Sequence, residues 1–195
     1  MPHDKQPGAG KRVFAVRHAP TGTSGVCVGD ADVPCTISAR EAASRVLSLV
    51  GSHAFASVWS SPRERCLAPA SLLAEKLDVP LRVDDRLREI SLGRWQMRSW
   101  KEIETSEPQR FKSWTADWLS QSPPEGELPG KLLERVCACW DEMAQGDHLL
   151  IGHAGVIRAL RVLLNGSSWT DAMGIEVNHL EGEWFPEKGR PGREK

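Results

Sequence analysis

The 195-residue chain has no apolar stretch long enough to cross a bilayer as a helix. It lacks an excess of either charge. Its 25 Lys and Arg face 26 Asp and Glu, a net charge of −1, so nothing draws it generally to nucleic acid or an acidic membrane. Its polar, Gly- and Pro-containing opening residues have no apolar core like that of a secretory signal, and a cytoplasmic location is expected. The five cysteines form no Cys-x-x-Cys pair. Cys137 and Cys139 lie two apart in a helical pattern and point in different directions, so reduced thiols are expected rather than a zinc site or disulfide framework. No His-Glu-x-x-His occurs, and no metal and no cofactor is expected. The length suits one domain with a substantial core, and no repeat or linker divides it.

What is present begins with Arg17-His18, delivered by the apolar run Val13-Phe14-Ala15-Val16 into the turn-forming Ala19-Pro20-Thr21-Gly22. Ligands bind at strand ends in α/β folds. An imidazole there can act as nucleophile or base, and a guanidinium can hold an anion bidentately. A second run, His148-Leu149-Leu150-Ile151, ends in Gly152-His153-Ala154-Gly155-Val156 and enters a helix. Two strands that each end in a histidine predict one shared pocket.

Strand and helix patterns alternate between these points. Strands are expected over 11–17, 55–60, 81–83 and 148–151. Ser38-Ala39-Arg40-Glu41 is a capping box that opens a helix to about residue 50. Further helices are expected over 63–77, 98–120, 129–144 (opened by Pro129) and 156–164, the last ending before Asn165-Gly166. Residues 175–180 and 183–185 read as a closing strand pair across Glu181-Gly182. Residues 1–10 and 186–195 read as disordered ends around a domain over 11–185. Such alternation implies a mostly parallel sheet covered on both faces.

Five segments, in order, carry a family resemblance. Arg17-His18-Ala19-Pro20-Thr21 resembles the RHG-x-T signature of the histidine phosphatase (phosphoglycerate mutase-like) superfamily. Ser60-Ser61-Pro62-Arg63-Glu64-Arg65 resembles its SSP-x-x-R segment, and Leu87-Arg88-Glu89-Ile90-Ser91-Leu92-Gly93-Arg94-Trp95 its L-x-E-x-x-x-G-x-W segment. Pro123-Pro124-Glu125-Gly126-Glu127 resembles PPGGE, and Gly152-His153-Ala154-Gly155-Val156-Ile157-Arg158 resembles SHGGVIR. The resemblance implies an α/β fold, a three-layer α/β/α sandwich with a helical insertion around 98–125.

It also implies a chemistry. His18 would be the nucleophile, forming a phosphohistidine. Arg17, Arg65 and His153 would surround the phosphoryl group and supply charge where the transition state spreads it. Thr21 would add a hydroxyl donor, and Ala154, opening the helix after His153, a backbone N–H. Glu89 would protonate the leaving alkoxide and then activate water. Arg63 competes with Arg65 as anion clamp; spacing from Ser60-Ser61-Pro62 favours Arg65, with Arg63 at the rim. Asp84, Asp85 and Glu102 compete with Glu89, which motif position favours. His3, His53, His148 and His179 read as structural or solvated, and the eight tryptophans as packing anchors, with Trp95 and Trp100 as candidate pocket residues.

Three departures from the family pattern stand out. Ala19 replaces a glycine and requires a backbone that avoids φ > 0. Gln96-Met97 replaces the common Glu-Gly, and Pro69 a common threonine. The loop from Gly25 to Pro34 resembles the G-x-C-x-G-x-x-D-x-P loop of an α-ribazole phosphatase-like branch. The expected partner is therefore a small phosphate ester, with α-ribazole-5′-phosphate of cobalamin assembly as one substrate. The alternatives are a phosphoglycerate mutase-type phosphotransferase and a non-catalytic phospho-ligand-binding protein. Oligomeric state is not readable from the sequence.

Overall fold

The computed structural model describes residues 10–186. The expected disordered ends lie outside the described residues, except for Gly10 and Pro186, which are tied to the sheet. The Gly10 carbonyl accepts from the Gly146 amide at 3.3 Å, and Pro186 stands opposite Arg12.

Five strands form one sheet: β1 (Lys11–Arg17), β2 (Ser57–Ser60), β3 (Leu81–Val83), β4 (Gly146–Gly152) and β5 (Gly182–Pro186), in the order β3-β2-β4-β1-β5. The first four are parallel, and β5 runs antiparallel to β1. β4 is buried at all seven positions because strands flank it and helices cover both faces. β1 alternates. Val13 and Ala15 enter one core with Leu150, while Val16 enters the other with Leu149 and Ile151. Helices α1 (Ala39–Val50) and α2 (Glu64–Leu77) cover the Val16 face. Helices α5 (Pro129–Glu142) and α6 (Ala154–Asn165) cover the Val13 face. The result is the three-layer sandwich expected.

Local signals explain the helix ends. The Ser38 hydroxyl accepts from the Glu41 amide at 3.1 Å, and Pro129 sits in the first turn of α5, where its missing N–H has no intrahelical partner to lose. Gly166 closes α6 in the left-handed region at φ 71°.

The insertion contains α3 (Trp100–Ser106) and α4 (Pro108–Ala116), parted where Pro108 opens the second. Helix stops at Ala116 rather than near residue 120. A small core of Cys27, Trp95 and Ile103, packed by Trp100, Phe111 and Trp114, holds the insertion. Strand β2 is shorter than expected, beginning at Ser57 rather than residue 55.

The closing strand pair is a misreading. A helix, α7 (Trp169–Gly174), precedes an irregular segment, and only β5 is strand. Ser168 accepts from the Asp171 amide at 3.0 Å, so Ser168-x-x-Asp171 is a start signal of the kind recognised at Ser38. Arg161 on α6 then takes the carbonyls of Ala172, Ile175 and Glu176, which removes these acceptors from any ladder. Leu180 at φ 58° breaks extended backbone before β5, which pairs with β1.

Candidate active site

Register builds the site. Arg17 of β1 stands opposite Gly152 of β4, so His18 and His153 leave neighbouring parallel strands side by side. The His18 amide donates to the Gly152 carbonyl at 3.0 Å, and the two imidazole centroids lie 5.2 Å apart, edge to face. Ser60 of β2 stands opposite Ile151, which brings Ser61 to the same sheet edge. A cavity of about 590 Å³ opens there.

The tautomer of His18 follows from its partner. Nδ1 lies 2.7 Å from the Ala19 carbonyl, and a carbonyl only accepts, so Nδ1 carries the hydrogen and Nε2 the lone pair. Burial first, then Arg65, His179 and Arg17, lower the His18 pKa to about 3, against the Ala19 bond that raises it. The imidazole is therefore neutral and nucleophilic at pH 7. Ala19 does not have a positive φ, so its methyl group is accommodated.

Three guanidinium groups line the cavity: Arg17, Arg65 and Arg158, and the Nε of each is buried without a partner. Burial lowers the Arg17 pKa, with Glu89 opposing and Arg158 and Arg65 adding to the fall. Like charges held this close, with donors to spare, suit an anion. Arg65 also donates to the Ala31 carbonyl at 2.5 Å and the Gly29 carbonyl at 3.2 Å, drawing the 25–34 loop over the site. Its rival Arg63 is spent on Asp30, with bonds of 2.8 and 2.5 Å.

Glu89 lines the cavity. Its carboxylate accepts from the Gly155 amide at 3.1 and 3.2 Å and from the Ile90 amide at 2.9 Å. Its three rivals do not line the cavity: Asp84 pairs with Arg86, Glu102 with Arg98, and Asp85 is exposed near Arg88. Thr21 and Ala154 also line the cavity.

His153 stands elsewhere than expected. It is fully buried against the His18 ring and is not among the residues that line the cavity. Nδ1 accepts from Arg65 Nη2 at 3.4 Å, so Nε2 carries the hydrogen and donates to Ser61 Oγ at 2.9 Å. Both nitrogens are engaged, and burial, then Arg65 and His18, push the pKa well below the ordinary histidine value.

Sequence reasoning missed several residues. Arg158 lies four residues after Ala154 on one face of α6, and that spacing was the available signal. His179 lines the cavity, and its Nδ1 donates to the His18 carbonyl at 2.8 Å across 161 positions, a contact no local pattern announces. Arg135 of α5 donates to the carbonyls of Arg86, Arg88 and Glu89 and to both oxygens of Glu127. Trp114, Trp118 and Trp169 join Trp100 in the cavity wall, whereas Trp95 is fully buried beneath it.

Sequence and fold were also compared with known proteins. The histidine phosphatase superfamily (branch 1) matches residues 13–181. The chain belongs to that family. As a histidine phosphatase it is a phosphoric monoester hydrolase. It is 29% identical over 155 residues to the adenosylcobalamin/alpha-ribazole phosphatase of Salmonella typhimurium, covering 76% of this chain and 77% of that protein. It is 25% identical to a putative phosphoserine phosphatase 2 of Hydrogenobacter thermophilus, covering 89% and 91%. In fold it is similar to the crystal structure of a putative alpha-ribazole-5′-P phosphatase from Escherichia coli, with a TM-score of 0.81, 23% identity and 92% of each chain covered. Among the described residues, no helix is long and apolar enough to cross a membrane.

Proposed function

We propose that this histidine phosphatase hydrolyses a small phosphate ester through a phosphohistidine at His18, without a metal ion, with α-ribazole-5′-phosphate as the leading substrate. The His18–Ala19 hydrogen bond carries this reading, since it leaves the Nε2 lone pair free beside three arginines. In the first step Nε2 attacks phosphorus and the ester P–O bond breaks. Glu89 gives its proton to the departing alkoxide. Arg17, Arg65 and Arg158 hold the equatorial oxygens, with Thr21 and the Ala154 amide beside them. In the second step Glu89 takes a proton from water, whose oxygen attacks phosphorus. The P–N bond breaks, returning its electron pair to Nε2 and releasing inorganic phosphate. His153 acts as a positioning residue, fixing Arg65 and packing against the His18 ring. The substrate reading rests on the Salmonella relative and on the Gly25–Pro34 loop that Arg65 holds.

The test is phosphate release by chelator-treated protein from α-ribazole-5′-phosphate, phosphoserine and 3-phosphoglycerate. The expected result is release that persists in chelator and falls by roughly 10³-fold or more in His18→Ala. An acid-labile phosphoenzyme should form on the wild type alone. Release unchanged by the substitution, or lost with chelator, overturns the mechanism. Isomerisation of 3-phosphoglycerate without release makes the protein a mutase.

A further inference from the structure

The cavity that holds His18 is larger than a phosphoryl group needs, and four indoles stand in its wall. Trp100, Trp114, Trp118 and Trp169 all line it, each half-buried. The Trp100 and Trp114 rings are stacked, 5.7 Å apart and 9° from parallel. Trp118 and Trp169 meet edge to face at 6.3 Å and 89°. Three of the four come from the 98–125 insertion and the fourth from α7, so two distant stretches of chain converge over one cavity. The carboxylate Glu127 also lines it, but Arg135 holds both of its oxygens.

This wall discriminates between classes of leaving group. Indole faces reward a flat aromatic partner by offset or edge contact. They offer little to an amino acid, whose ammonium and carboxylate an indole face does not pair. A volume of about 590 Å³ suits a ligand well beyond a phosphate ion. We infer that the leaving alcohol carries a flat, uncharged aromatic group, and that Trp100, Trp114, Trp118 and Trp169 are the residues that select it. The inference rests on the phosphatase reading above and separates a phosphorylated aromatic riboside from phosphoserine.

The test compares two alkyl phosphates of similar leaving-group basicity, 2-(2-naphthyl)ethyl phosphate and propyl phosphate. Wild type should favour the naphthyl ester at least tenfold in kcat/KM. Trp118 follows α4 outside the small core of the insertion, so its replacement spares the fold. The preference should fall below about threefold in Trp118→Ala and persist in Trp118→Phe. A wild-type ratio near one, or a ratio unchanged in both Trp118→Ala and Trp169→Ala, overturns the inference while leaving the phosphatase reading intact. If neither ester is hydrolysed, the phosphatase reading fails. Calorimetry with the two matching phosphonates then decides the wall separately. Tenfold tighter binding of the naphthyl compound sustains it, and equal or absent binding overturns it.

Discussion

Gly155 is the second residue of α6, and its amide holds both oxygens of Glu89. A Cβ built there would lie 2.1 Å from Glu89 Oε1. The obstructed atom is the end of a flexible side chain, so the carboxylate moves and the helix stays. Gly155→Ala should therefore lose about 10²-fold in kcat/KM and keep its melting temperature within a few degrees. Activity within twofold of wild type would remove Glu89 from the reaction. At this scale most of the site was legible: Arg17, His18, Arg65 and Glu89 each sit in a short local pattern. His179 and Arg135 were not, because their partners lie on other elements, far away in the chain.

Element packing decides where the Glu89 loop sits, and one guanidinium of α5 does most of it. Arg135 spans the carbonyls of Arg86, Arg88 and Glu89 and the carboxylate of Glu127, which itself accepts from the Ser91 amide. Truncation would strand these half-buried acceptors together. Arg135→Ala should destabilise the protein by about 2–4 kcal/mol, read by urea unfolding, and lower kcat as Glu89 loosens. Arg135→Lys should recover only part, since an ammonium cannot reproduce the fork. Stability unchanged in Arg135→Ala would show that the loop holds itself. Among the elements, periodicity and capping placed the sheet strands and the long helices. They failed at 169–180, where a six-residue helix and arginine-held carbonyls replace the strand that Ile175–Leu180 suggests. Short elements carry too few apolar positions for a period to show.

Across the whole molecule, three buried or half-buried histidines at the site govern the response to acid. Burial lowers the pKa of His18, His153 and His179, so each takes up a proton on unfolding at mildly acidic pH. The unfolded chain then binds more protons than the folded one, and stability falls as pH drops below about 6.5. For His18, with a folded value of about 3, the loss between pH 7 and pH 5 is about 2 kcal/mol. Asp84 and Asp147, lowered chiefly by bonds from Arg86 and Arg12, act in the same direction at lower pH. Chemical denaturation at pH 7, 6 and 5 should show this decline, with a shallower slope in His18→Asn. A flat profile would mean that these imidazoles take up protons in the folded protein as readily as in the unfolded chain.

By itself the sequence determined the alternation of strand and helix, the apolar faces of β1 and β4, and the identity of the groups at their ends. Those features depend on neighbours within a few residues, through side-chain period, caps and motif chemistry. Tertiary structure alone decided that Arg17 stands opposite Gly152, which sets the two histidines together. It also turned His153 inward onto Arg65 and Ser61, and gathered tryptophans from positions 100 to 169 over one cavity. Strand register and helix docking come from burial summed over the whole chain, and no local pattern encodes that sum.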